Sequence, residues 1–159
     1  LRVVDEKNNK FKSSTNINFI GSDIRSEFNI FDKYMDFSSN KSKIFNKRLD
    51  FSGRVEYSPF FLNSRFHLDQ INLAKILKNR NFFLEFLNND NFIHNNLNAK
   101  ILFNVDNFSK ENIFDRANIF IEVLNGELKF NNSLFVSENF GNLELISSVL
   151  YRSNKENFG

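Results

Sequence analysis

The residues of this chain that can do chemistry are few and scattered. It carries two histidines, His67 and His94, and no cysteine. A protein metal site needs several His, Cys or carboxylate ligands at short spacing, and neither histidine has a companion so placed. Without cysteine there is no thiol nucleophile, no thiolate metal site and no disulfide framework. Serines and aspartates are plentiful, but no nucleophile elbow presents one. The five glycines stand alone at 21, 53, 126, 141 and 159, so no glycine-rich loop cradles a phosphate. Pairs such as Asp5-Glu6 are ordinary surface charges. The expectation is a protein that is not an enzyme, with no catalytic residue, no metal and no cofactor.

Binding chemistry is the next question. Basic residues interleave with aromatics from Lys41 to Arg54, a composition shared with nucleic-acid binders. Lys+Arg 21 against Asp+Glu 19 leaves a net charge of +2, too balanced for a phosphate-backbone surface. That stretch reads as a polar loop, Ser38 to Lys43, followed by the solvent face of a strand. No nucleic-acid partner is expected.

The chain is rich instead in apolar aromatic surface: 22 Phe and no Trp in 159 residues. Burying one Phe is worth roughly 1.5–3 kcal/mol, so the means to build a core or an apolar groove are ample. The length fits one domain. Apolar runs such as Phe82-Phe83-Leu84 are far too short to cross a bilayer. Leu1 to Lys10 lacks the basic-then-apolar order of a signal peptide, and the chain is expected to be one β-rich segment, 1–159, of something longer.

The elements that would position this surface read mostly with period 2. Leu97, Ala99, Ile101, Phe103 and Val105 alternate with polar residues, and only Leu102 breaks the pattern. Leu49, Phe51, Gly53, Val55 and Tyr57 alternate without exception. Phe60, Leu62, Ser64, Phe66 and Leu68 repeat the alternation after Ser58-Pro59, where the single proline marks a turn. Gly53, inside a strand, marks a bulge or a close backbone approach. Ile119, Ile121 and Val123 lead into Asn125-Gly126, the strongest short-range hairpin signal, and Leu128 and Phe130 follow. Leu134 and Val136 reach a turn near Asn139 to Gly141, before a last strand through Leu143, Leu145, Ser147, Val149 and Tyr151. The N-terminal third is weaker, with short strands around Ile17, Phe28–Phe31 and Tyr34–Phe37. One segment has helical period: Ile71, Ala74 and Leu77 form a stripe that predicts a helix, or two short ones, over 70–88.

The order of these motifs resembles a known family. Leu49 through Leu62 contains Gly53, Val55, Pro59 and Phe60 in the pattern G-x-V-x-x-x-P-F, and Phe66 through Leu77 leads into the helical stripe. Asn125, Gly126, Leu128 and Phe130 follow N-G-x-L-x-F. This is similar to AsmA-like and TamB-like proteins over roughly residues 45–155. The resemblance implies a strand-rich periplasmic body, tethered to the inner membrane through a segment not in this chain. It also implies a role in phospholipid transfer to the outer membrane or in outer-membrane assembly. The fold expected is mainly β, a curved antiparallel sheet with an apolar concave face, plus the helical insertion near 70–88. Leu97, Ile101, Phe103, Ile119, Ile121 and Val123 are the candidate groove residues. The partners expected are a phospholipid or other acyl-chain lipid and neighbouring β-segments of the same chain. The competing expectation is a structural or interaction module of a large surface or secreted protein, with a closed core.

Overall fold

The computed structural model describes residues 2–7, 10–19, 21–72, 97–109, 112–125 and 127–151. They form twelve strands in one open, mixed sheet. Six strands come first as an antiparallel meander: β1 (Arg2–Lys7), β2 (Lys10–Phe19), β3 (Ser22–Ile30), β4 (Tyr34–Ile44), β5 (Lys47–Tyr57) and β6 (Phe60–Leu68). Next to β6 lies β7 (Asn98–Val105), followed by β8 (Arg116–Leu124). The chain ends in four short strands, β9 (Glu127–Lys129), β10 (Ser133–Ser137), β11 (Gly141–Leu145) and β12 (Val149–Tyr151). The sheet forks at β8: residues 116–118 pair with β10, and residues 122–124 pair with β9. Beyond the fork, β11 continues from β10 and β12 from β9, so the single last strand expected through Leu143 to Tyr151 is two strands on different partners.

The turns follow from local chemistry. Leu124 pairs with Glu127, which leaves two residues for the connection, and Asn125 takes the positive φ of 53° that a tight hairpin turn requires. Ser58-Pro59 turns β5 into β6, with Tyr57 opposite Phe60. Phe45 and Asn46 join β4 to β5 with φ of 49° and 63°. A phenylalanine in that region is uncommon. It is tied down by a bond from its N–H to the Ser22 hydroxyl, 3.1 Å, while the Asn46 N–H donates to the Gly21 carbonyl, 2.7 Å.

Three further expectations are corrected. The sheet is not wholly antiparallel, because β6 and β7 run parallel, with Leu62 opposite Ala99 and Leu68 opposite Val105. A parallel neighbour needs a crossover connection of a dozen or more residues, and the long stretch between Leu68 and Asn98 supplies that length. The helix expected over 70–88 falls mainly on residues outside the described ones. Where its start is described the backbone is extended: Ile71 forms a parallel β-bridge with Phe108. No helix occurs among the described residues.

The third correction concerns Ser38 to Lys43, which is strand rather than loop. β4 runs through it with an irregularity between Ser39 and Ser42. There the β3–β4 ladder opens, and the Ser42 hydroxyl fills in. It accepts from the Arg25 N–H at 2.9 Å, donates to the Arg25 carbonyl at 3.1 Å and meets the Ser39 hydroxyl at 2.7 Å. Ser133 does the same at the fork, accepting from the Phe120 N–H at 2.9 Å and donating to its carbonyl at 3.2 Å. These two serines are the most deeply buried side chains described. Each satisfies backbone groups that the ladder has left open.

Because paired residues share a face, the register sorts every strand into two sides. One side gathers Leu49, Phe51, Leu62, Phe66, Leu68, Ile101, Phe103, Val105, Ile119 and Ile121, and the other holds nearly all the charges. On the apolar side one buried cluster forms around Leu49, Leu68, Val105, Phe108 and Ala117, with Ile71, Phe114 and Phe135 packed on it. A second forms around Ala99, Val123 and Leu128 at the opposite end of the strands.

Candidate functional site

The candidate site is the middle of the apolar face. Register places Ile101 opposite Ile121, Phe103 opposite Ile119 and Ala99 opposite Val123, so these candidate residues stand on one side of β7 and β8. Leu97 precedes β7 and packs with Ile101 and Ile121 against the second cluster. Val123 is buried, whereas Leu97, Ile101, Phe103, Ile119 and Ile121 are half-buried.

Towards β4 the face continues as a ladder of rings. Phe37, Phe51, Phe66 and Phe103 lie on four successive strands with centroid separations of 6.2, 5.8 and 5.0 Å. The first two contacts are tilted and the third is stacked at 16°. Such pairs add about 0.5–1.5 kcal/mol each beyond the area they bury. Gly53 explains how the ladder passes β5. A methyl group there would collide with the Phe37 ring and stand 2.7 Å from the Asn63 carbonyl oxygen. Gly53 is therefore a close approach, not a bulge: its pairing with Phe37 and Ser64 is in regular register. The ring of Phe37 occupies the space that a side chain at 53 would take.

Polar atoms interrupt this face at a series of serines. Ser13, Ser22, Ser26, Ser42, Ser64, Ser133 and Ser137 are all buried, and the hydroxyls of Ser13 and Ser64 have no partner among the described residues. No cluster of three or more metal-ligating side chains occurs among the described residues.

The opposite face is laced with ion pairs. Arg54 grips Asp36 through two bonds of 2.7 and 3.1 Å and lies over the Tyr34 ring at 4.1 Å. The Asp36 hydrogen bonds hold the Arg54 guanidinium above its ordinary pKa, and Asp23 and Asp50 act likewise on Arg25 and Arg48. Lys100 meets Glu122 at 3.3 Å, opposite it in register. His67 meets Asp106 at 2.7 Å, a pair that sequence spacing concealed because 39 residues separate them. His94 lies outside the described residues. Two depressions, of about 570 and 680 Å³, open on this polar face. Leu102 and Phe120 are apolar side chains on this face, as are Phe61, Leu134 and Val136 by register. Leu102 was signalled by the break in alternation, and Phe120 by the unbroken apolar run around it.

No protein-family model matches this chain, and no curated protein or solved structure is similar enough to it to support an inference.

Proposed function

We propose that this chain is a lipid-handling β-sheet segment, in which acyl chains lie along the apolar face as in a shallow groove while the charged face meets water. The observation that supports this reading most is the aromatic ladder from Phe37 to Phe103, continued by Ile119 opposite Phe103: a strip of half-buried apolar side chains across five strands. Among the described residues, Ile71 and the segment around Phe108 and Phe114 pack onto one end of this face. An acyl chain of ~12 methylenes would gain on the order of 10 kcal/mol gross, at about 0.8 kcal/mol each, before the loss of its freedom is subtracted. Contact of this kind needs no catalytic group.

The resemblance of residues 45–155 to AsmA-like proteins supplies the setting for the proposal. It is a periplasmic sheet, tethered to the inner membrane through another segment, that serves phospholipid transfer to the outer membrane or outer-membrane assembly. The buried cluster around Leu49, Leu68 and Val105 favours a second reading, a structural module whose apolar face is a core shared with a further layer. Native mass spectrometry of the purified chain distinguishes the two. Retained phospholipid, displaced by added fatty acid, supports the lipid reading. A lipid-free species under the same mild extraction contradicts it.

A further inference from the structure

The polar face carries a feature that a lipid path on the other side leaves unused. One row across the sheet runs Ser38, Ser52, Arg65, Leu102, Phe120, each opposite the next on the neighbouring strand. All five line the depression of about 570 Å³, with Asn63 beside Arg65. The short serines at one end leave room above the backbone, the guanidinium stands in the middle, and two apolar side chains close the other end.

Charge bookkeeping singles out Arg65. In the adjacent row Arg54 is committed to Asp36, and Lys100 to Glu122. Asp50 is taken by Arg48, and Asp106 by His67. Arg65 is exposed and has no acidic partner among the described residues. A planar guanidinium with a free fork fits a carboxylate, sulfate or phosphate in two parallel bonds. Leu102 and Phe120 are half-buried apolar side chains directly opposite each other on that face.

We propose that this depression binds an amphiphilic anion, with Arg65 holding the anionic group and Leu102 and Phe120 the apolar body. The site is separate from the lipid face, because Leu102 points to the opposite side from its neighbours Ile101 and Phe103.

Methyl-labelled protein titrated with octyl phosphate, below its micelle concentration, tests the proposal. Inorganic phosphate and octan-1-ol serve as parallel probes. Saturable shifts are expected at the Leu102 methyls with octyl phosphate, and binding at least about tenfold weaker with either half-ligand. Arg65→Gln is expected to weaken octyl phosphate about tenfold or more, the usual scale for a charge-assisted bond. Arg65→Lys, which keeps the charge but loses the fork, should fall between. Equal binding by Arg65→Gln, or inorganic phosphate as tight as octyl phosphate, would overturn the proposal. Shifts confined to the Ile101 and Ile121 methyls would also overturn it while leaving the lipid face intact, so the two readings fail separately.

Discussion

Among the described residues, the two parts of the apolar face differ in what covers them. At one end, Leu49, Leu68, Val105 and Ala117 are closed off together with Phe108, and all are at most 8% exposed. In the middle, Phe37, Phe51, Phe66 and Phe103 meet ring to ring along the sheet and stay half-buried, although Phe51, Phe66 and Phe103 also pack against the edge of that cluster. Both regions are apolar and the parity is the same. The difference lies in the chain beyond the strand ends: after Leu68 and Val105 the backbone continues as a bridge between Ile71 and Phe108 that packs back onto the end of the face. Hydrophobic patterning alone thus does not separate buried from half-buried positions. The return of the chain does.

The sharpest way to break this comparison is to place a charge at the closed end. Val105→Asp should prevent folding, because a carboxylate there has neither water nor a partner. Soluble, cooperative unfolding of that variant would show that the end is open after all. Truncation is the next largest effect. Leu68→Ala should lower stability by about 2–5 kcal/mol in urea unfolding, while Ile119→Ala in the half-buried strip should cost clearly less. Equal losses would erase the distinction between the two regions.

A smaller effect concerns the serines. Ser42→Ala or Ser133→Ala removes a hydroxyl that satisfies both an N–H and a carbonyl, and each should cost about 1–3 kcal/mol. Ser64→Ala removes a buried hydroxyl with no described partner, so it should be neutral or slightly stabilising. If thermal melts rank Ser64→Ala with the other two, the hydroxyl has a hydrogen-bonding role that the geometry does not show.

Much of the sheet's middle was legible in sequence. The strict alternation from Leu49 to Leu68 and from Leu97 to Val105, with Pro59 and Asn125-Gly126 as punctuation, located β5 through β9 and their common face. The N-terminal third was harder for a physical reason. Its inward positions in β2–β4 include Ser13, Ser22, Ser26, Ser39 and Ser42, and a reading built on hydrophobic period cannot tell a buried serine from a loop serine. The parallel joint between β6 and β7 and the His67–Asp106 pair depend on how distant segments meet, which no local pattern encodes. Leu102 was visible as an exception, yet its meaning needed the neighbours that the register supplies: Arg65 on one side and Phe120 on the other.

The central claim is that the middle of the apolar face is open to acyl chains, and Ile121→Asp tests it most directly. An open face lets the new carboxylate reach water, so folding should survive with a fall in melting temperature under about 8 °C, equivalent to a few kcal/mol for a chain of this size. The lipid that co-purifies with the unmodified protein should be lost, measured by native mass spectrometry on the same preparations. Failure of Ile121→Asp to fold, with no lipid on the unmodified protein either, would show that the strip is a core and contradict the account.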